Sequence, residues 1–307
     1  MGKENVNLKL NFSFLNCERC IRMGLEKQKR NAVVLVSGGA DSIPLLYYVV
    51  KVIKPEHTLA IHVDYGQRMM EMERFCVTKN IDYLKNQDYN ISLEFVNVKW
   101  LGKLSTSKLV RDEPVPETPI EKIQDPEAAR ERILWWWDVV RNLQLITIGL
   151  AYAESFDLQS YLKNRRRCVY DVYIGIRRET PVPMKDNTPE FVEEMNHVAE
   201  VSTHFGGYKV YAPFISLDKH AIIRLGTMLD VKWEYTFSCY TKPTLWIKHP
   251  KLEDKIPVHC GRCSNCRRRH LAFIEANIPD PTPYEYKFEG TIEIKEGVYI
   301  DKTALQR

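Results

Sequence analysis

The sequence predicts an α/β protein, a doubly wound parallel sheet with a small metal-binding module near its C-terminal end. Three observations carry that expectation. A β-branched run, Ala32-Val33-Val34-Leu35-Val36, leads through a glycine pair into an apolar segment, Ile43 to Ile53, which Pro55 closes. A second apolar run, Leu59 to Val63, follows. Strand, turn, helix and strand in that order make a βαβ unit, which requires a parallel sheet covered by helices on both faces. Far along the chain, four cysteines stand as Cys239-x20-Cys260-x2-Cys263-x2-Cys266, a spacing that suits a closed metal site.

The remaining elements follow in order. Residues 1–30 read as an extension ending in Glu26-Lys27-Gln28-Lys29-Arg30. The second strand ends in Asp64-Tyr65-Gly66-Gln67-Arg68, and Leu93 to Val98 predicts a third. Residues 102–130 are rich in Pro, Lys and Glu, and read as a long loop within an insertion spanning about 102–137. Leu143 to Phe156 returns to a helical pattern, Val169 to Ile176 predicts a strand, and Glu190 to Ser202 a helix. A further helix runs from Asp218, its expected cap, to Leu229. The composition then shifts to Trp, Tyr, Pro and Cys. The main domain therefore covers 31–230, and 231–307 forms the zinc-binding module.

Composition bounds the function. At 44% hydrophobic and 27% charged residues, the 307-residue chain has the profile of an ordinary globular protein. No apolar run approaches the roughly 20 residues that cross a bilayer. The start, MGKENVNLKLNF, lacks the h-region of a secretory signal, so a cytoplasmic protein is expected. A formal charge of +4 accommodates anionic ligands such as nucleotides without calling for a nucleic-acid partner. The basic runs Arg165-Arg166-Arg167 and Arg267-Arg268-Arg269 fit a solvated face as well as a phosphate contact.

The turn Ser37-Gly38-Gly39-Ala40-Asp41-Ser42 is the principal candidate site. Glycines there let the backbone turn tightly and let a phosphate approach without a Cβ in the way. They also aim amide N–H groups at the anion. Ser37 and Ser42 add hydroxyl donors, and the following helix adds its N-terminal field. The turn lacks the GK[ST] ending of a Walker loop and the spacing of GxGxxG. It resembles SGGxDS, the signature of PP-loop ATP pyrophosphatases, which cleave ATP between its α- and β-phosphates. That resemblance implies ATP at residues 37–42 and the strand end Asp64, Tyr65, Gln67 and Arg68, with Asp41 near a Mg²⁺ ion.

Four thiolates close a tetrahedral site with no open position, so the cysteine cluster reads as structural zinc; an iron–sulfur cluster is the other occupant of a four-thiolate set. Cys17 and Cys20 offer half of a second metal site, with Cys76, Cys168 or a histidine as partners, or are unrelated thiols.

Beyond the turn, the blocks VDYGQR, PEFVEEMN (Pro189 to Asn196), APFISLDKHAIIRLG, SCY (Ser238 to Tyr240) and CGRCSNCRRRHLAF resemble the 7-cyano-7-deazaguanine synthase (QueC-like) family from about Ala32 to Asp280. The resemblance implies an ATP-dependent ligase. It adenylates the carboxylate of 7-carboxy-7-deazaguanine, releases pyrophosphate, forms an amide with ammonia, and dehydrates that amide to a nitrile with a second ATP. Lys219 and Arg141 become candidates, with Asp41, for catalytic phosphate or carboxylate contacts. Arg141, Asn142, Gly175 and Asp186 become candidates for substrate binding. Family members are often homodimers, and that expectation carries over.

Two departures leave the acceptor open. Where the family has PGRN, this chain has Val139-Val140-Arg141-Asn142. The base-gripping stretch GVNxxDxSGYPDCRPEF is rewritten here across Gly175 to Phe191, with only the glycine, Asp186 and Pro-Glu-Phe clearly kept. Such a chain also fits a paralogue of the antiviral-operon type, coupling the deazaguanine acid to a protein N-terminus. A tRNA-modifying PP-loop enzyme is a further reading, resting on Cys17 and Cys20, and a nucleotide-binding scaffold a non-enzymatic one. The run Trp135-Trp136-Trp137 offers rings that stack a purine-like base or pack a core.

Overall fold

The computed structural model describes residues 30–179, 181–243, 245–249, 252–286, 288, 293–295 and 298–300. Cys17, Cys20 and the extension up to residue 29 lie outside them.

A five-stranded parallel sheet forms the centre. Its strands are β1 (Asn31–Leu35), β2 (Thr58–Asp64), β3 (Ile91–Asn97), β4 (Tyr170–Ile174) and β5 (Val210–Tyr211), in the order β3-β2-β1-β4-β5. Every residue of β1, β2 and β4 is buried, as helices on both faces require. The alternation of β1 divides the core. Ala32, Val34 and Val36 face α1 (Ser42–Tyr48), α2 (Met70–Lys85), α7 (Lys219–Met228) and α8 (Ser264–Ala276). Val33 and Leu35 face α5 (Arg141–Asn164) and α6 (Pro189–Ser202) through Ile146, Leu150, Met195 and Ala199. Each buried valine, leucine, isoleucine or methionine among these stabilises the fold by roughly 1.5–3 kcal/mol. A one-residue slip of β1 would exchange the two sets and unpack both layers.

The connections after β1 and β4 leave on opposite faces: α1 packs in the first layer and α6 in the second. Such a switch point opens a crevice beyond the strands' carboxyl ends. Ser37–Ser42 and Gly175 sit there.

Several elements differ from the sequence expectation. The helix from residue 43 closes as a π-turn, Val49–Ile53, and Lys54 adopts φ 56° before Pro55. The 102–137 segment is less loop than its composition implies. It carries the end of α3 (Trp100–Leu104), a 3-10 turn at Ile120–Lys122 and α4 (Pro126–Trp136). Asp125 caps α4 by accepting from Ala128 N at 2.7 Å, with Pro126 in the first turn, where its missing N–H costs nothing. The segment is pinned to the cysteine region, since Thr118 N donates to Arg262 O at 3.1 Å. Asp218 does precede α7, but its carboxylate takes Arg178 instead of a helix N–H.

The chain after residue 231 is woven into the first layer. Ala272 and Phe273 of α8 pack with Ile222 and Ile223 of α7. Strands β6 (Trp246–Lys248), β7 (Lys255–Pro257), β8 (Glu293–Lys295) and β9 (Val298–Ile300) form a second sheet in the order β7-β6-β9-β8. Among the described residues no helix is long and apolar enough to cross a membrane.

Candidate active site and cysteine cluster

A cleft of about 270 Å³ opens at the switch point. Its centre is the turn between β1 and α1. Gly38 has φ +78°, and a Cβ there would lie 2.8 Å from the Glu73 carbonyl oxygen, so only glycine fits. Ser42 Oγ accepts from Ser37 N at 3.0 Å and lies 3.0 Å from Ser37 Oγ, which fixes the turn. A Cβ on Gly39 would meet no protein atom closer than 3.5 Å. The backbone there is left open to the cleft.

On the β4 side of the cleft stands a chain of charges. Lys219 Nζ donates to both Asp41 oxygens, at 2.9 and 3.2 Å. Arg177 Nε lies 3.4 Å from Asp41, Arg177 also pairs with Glu179 at 3.2 Å, and Arg268 donates to Glu179 at 2.9 Å. Burial opposes the charge on Asp41, but Lys219 and Arg177 outweigh it and hold the carboxyl below its ordinary value. Its side chain keeps 29% of its surface open to the cleft. Burial draws Lys219 below the usual lysine value, with Asp41 opposing and Arg177 adding.

The β2 side is built differently. Glu73, from α2, accepts from Gln67 Nε2 at 2.8 Å and has no Lys or Arg ion pair among the described residues. Burial pushes its carboxyl up to about 7, against the Gln67 hydrogen bond and nearby Arg141. His62 lies behind it, with Nε2 3.8 Å from Glu73 Oε2. Arg141 and Asn142 enter from the start of α5. Arg141 pairs with Asp138 at 3.2 Å, and Tyr65 and Asp138 outweigh its burial to raise its pKa. Asn142 donates to Asn187 Oδ1 at 3.0 Å.

Of the residues expected from the sequence, the cleft gathers Ser37, Gly39, Ala40, Asp41, Ser42, Tyr65, Gln67, Arg141, Asn142, Gly175 and Lys219. Gly175 also serves packing, because a Cβ there would lie 3.1 Å from Ser42 Cα. Four expected residues stand outside the lining. Gly38 lies under the turn. Asp64 accepts from Gly66 N at 3.0 Å and pairs with Lys99, so it shapes the strand end. Arg68 donates to the Glu113 carbonyl at 2.7 Å and holds the insertion instead. Asp186 is partly buried, with burial raising its pKa, and its backbone oxygen faces Asn142 at 3.4 Å.

Sequence reasoning did not single out Arg177, Glu179, Arg268, His62 or Glu73. Arg177 and Glu179 lie in the rewritten stretch, where divergence was legible but pairing was not. In the run 267–269 only Arg268 reaches the cleft. Arg269 is buried, donating to Thr282 Oγ1, Ser238 Oγ and the Trp233 carbonyl. Arg167 holds Asp157 at the far end of α5. One signal for Glu73 was available: an acid between Met72 and Cys76, on the face of α2 that the helical period buries. Trp136 packs on Tyr240, centroids 4.3 Å apart and rings tilted by 39°, so the tryptophan run backs a cleft wall and does not line the cleft itself.

The Sγ atoms of Cys239, Cys260, Cys263 and Cys266 lie within 4.8 Å of one another, and the Cys260 and Cys266 sulfurs are 4.0 Å apart. Zn–S bonds of about 2.3 Å in a tetrahedron place sulfurs about 3.8 Å apart. Backbone amides prepare the sulfurs for negative charge. Cys260 Sγ accepts from Cys263 N at 3.3 Å and Arg262 N at 3.4 Å, and Cys239 Sγ from Thr241 N at 3.2 Å and Cys260 N at 3.4 Å. The cluster can hold a single metal ion. It packs against Met72, Cys76 and Phe237 and so buttresses the cleft, whose lining Cys239 joins.

The chain matches known proteins over most of its length. Residues 31–277 match the family described as Queuosine biosynthesis protein QueC. A 7-cyano-7-deazaguanine synthase of Pyrococcus abyssi is 33% identical, covering 83% of this chain and 97% of its own length. That of Pyrococcus furiosus is 34% identical over the same shares. That of Methanocaldococcus jannaschii is 33% identical, covering 82% of this chain and 98% of its own. The matched span runs from β1 to the end of α8 and takes in both the phosphate-type turn and the cysteine cluster. With near-complete coverage of its relatives, this chain belongs to the QueC family.

Proposed function

We propose that this protein is an ATP-dependent ligase that adenylates the carboxylate of 7-carboxy-7-deazaguanine, releases pyrophosphate, and passes the activated acyl group to ammonia to give the amide and then the nitrile. The observation that carries this reading is the grouping of Lys219 and Arg177 about Asp41, beside an open glycine turn at the switch point. A carboxylate is a poor electrophile until one oxygen becomes a good leaving group. Positioning and charge stabilisation therefore do most of the work, and a side-chain nucleophile is not needed.

Each residue has a task in that scheme. The amides of the turn and the hydroxyls of Ser37 and Ser42 hold phosphate oxygens. Lys219 and Arg177 offset the charge that builds as pyrophosphate departs. Asp41, kept ionised and partly open, is fitted to hold Mg²⁺, which would neutralise phosphate charge. Arg141 and Asn142 orient the acid from the opposite wall. The four cysteines would hold Zn²⁺, whose role there is to brace Met72 and Cys76 of α2.

The relatives' name, 7-cyano-7-deazaguanine synthase, supports the deazaguanine substrate. The rewritten stretch from Gly175 to Phe191, with Arg177 and Glu179 in the cleft wall, favours one second reading: the same activated acid passed to a protein amine. Mass spectrometry of products from Mg-ATP and 7-carboxy-7-deazaguanine, with and without ammonium, separates the two. AMP with ammonium-dependent amide and nitrile supports the synthase. AMP without ammonium-dependent product supports the protein-amine reading. Absence of AMP under both conditions removes this substrate.

A further inference from the structure

The β2 side of the cleft holds an acid that adenylation does not use. Glu73 lines the cleft with 17% of its side chain exposed, and its Oε2 accepts from Gln67. Its Oε1 makes no hydrogen bond among the described residues. The other two acids of the cleft lining are committed. Asp41 is bound by Lys219 and Arg177, and Glu179 lies between Arg177 and Arg268.

The histidine behind Glu73 is arranged so as not to claim its charge. His62 Nδ1 lies 2.9 Å from the Val36 carbonyl oxygen, which can only accept, so Nδ1 carries the hydrogen. Burial lowers the pKa of His62 and keeps the ring neutral. Nε2 is then a bare lone pair, with no hydrogen-bond partner. A neutral imidazole 3.8 Å away neither neutralises the carboxylate nor donates to it. The remaining groups facing Glu73 are Asp64 from β2, Tyr65 and Gln67 from the strand end, Cys76 from α2, and Arg141 from α5. Only one of these is a cation, and it is engaged by Asp138.

Resting on the ligase reading above, we propose that Glu73 is the catalytic base of the amine half-reaction, taking a proton from the incoming ammonium. Ammonium has no lone pair and cannot attack a carbonyl. The Glu73 carboxylate removes one proton, and the N–H bonding pair stays on nitrogen as the lone pair of ammonia. That pair forms the C–N bond while the C–O bond to AMP breaks, and AMP leaves with its electrons. The nitrogen then sheds its extra proton to water, and the Glu73 carboxyl returns its own to solvent through the cleft. A carboxyl that titrates near neutrality matches such a task better than one at the ordinary value, because it binds a proton and releases it again.

The test compares the wild type with Glu73→Gln in three assays on the full chain. ATP–pyrophosphate exchange with 7-carboxy-7-deazaguanine reads adenylation. Hydroxylamine, an amine largely unprotonated at neutral pH, reads capture of the activated acid without a base. Ammonium reads the complete step. Glu73→Gln is expected to keep wild-type exchange and hydroxamate formation and to lose amide formation about 100-fold or more. The base-dependent part of the wild-type rate with ammonium should rise with pH and level off above about 7, since the carboxylate is the active form. The rate of Glu73→Gln keeps climbing with the fraction of free ammonia, so that the wild-type advantage shrinks above neutrality. Equal loss with both amines, or with neither, overturns the proposal. A wild type that exchanges pyrophosphate but makes no amide from ammonium also overturns it and leaves adenylation standing. A wild type without exchange removes the ligase reading itself.

Discussion

The two sides of the cleft hold similar carboxylates in opposite electrostatic states. On the β4 side Asp41 is buried among cations and is pulled below its ordinary value; on the β2 side Glu73 is buried without an ion-paired cation and is pushed up to about 7. Burial acts in the same direction on both. What differs is whether a charge stands within reach, and the topology decides that. Lys219 and Arg177 come from the chain that follows β4, whereas the arginines that follow β2 are turned away, Arg68 to the Glu113 carbonyl and Arg74 to the Phe95 ring. One side is thereby suited to fixed charge, and the other to a proton that comes and goes.

The largest effect should come from removing what both sides lean on. The cysteine region reaches the turn through Phe237 N, which donates to Gly38 O at 2.9 Å, and reaches α2 through Met72 and Cys76. Structural zinc contributes on the order of 10 kcal/mol in isolated finger peptides. Cys266→Ser, or chelation of the metal, should therefore unfold the protein or lower its melting temperature steeply, and erase the contrast between the two sides at once. A melting curve by circular dichroism that chelator leaves unmoved would show that the thiols bear no metal load.

Breaking only the β4 side should leave the fold and remove the chemistry. Asp41→Asn keeps the shape of the side chain and deletes its charge. Pyrophosphate exchange should fall about 10²- to 10³-fold, the cost of losing one preorganised electrostatic contact in an active site. Exchange at the wild-type rate would count against Asp41 as part of the ATP site.

The sequence made each side half visible, with Tyr65, Gln67, Arg141 and Asn142 expected on the β2 side and Glu73 and His62 missed there, for a physical reason. Ser37–Ser42 is local: one strand, one turn and one helix specify it, and the glycine at φ +78° is readable from its neighbours. The sheet was legible in the same way, as apolar runs punctuated by turns. The cysteine spacing was legible because metal geometry restricts it. Lys219 came from the family resemblance, but its meeting with Asp41 joins residues 178 apart, a distance that periodicity cannot bridge. Glu73 was harder still, because its significance lies in what is missing around it. Helix α4 escaped for another cause. Its charged composition masked the start signal Asp125-Pro126, which is plain once the cap is seen.

The β2 side can be sharpened by a stability measurement. A carboxyl whose pKa rises from 4.5 in the unfolded chain to about 7 in the fold is favourable to folding while protonated. That stability is complete below the unfolded value and is lost as pH rises through about 7. The difference amounts to about 3 kcal/mol. Glu73→Gln, which is neutral at every pH, should match the wild type below the unfolded value of 4.5, become progressively more stable than it between there and about 7, and hold a constant lead above that. Denaturant titrations at a series of pH values read this directly. Parallel curves would mean that Glu73 is solvated well enough to ionise without penalty.

The smallest effect concerns how Arg141 is aimed into the β2 side. Val140, directly before it, has φ 47° and ψ 32°, a left-handed conformation that a β-branched side chain resists. Where this chain has Val140, the family pattern PGRN has glycine, the residue for which that conformation carries no steric penalty. The valine side chain is 53% exposed and is not held in place by a core. Val140→Gly should relieve the backbone, and the gain is reduced because glycine also frees the unfolded chain. A net stabilisation of about 1 kcal/mol is expected, or about 2 °C in melting temperature for a protein of this size. If the strain holds Arg141 in place, amide formation should fall although the protein has become more stable. A rise in both would mean that α5 positions Arg141 by its packing alone, and that the valine is merely tolerated.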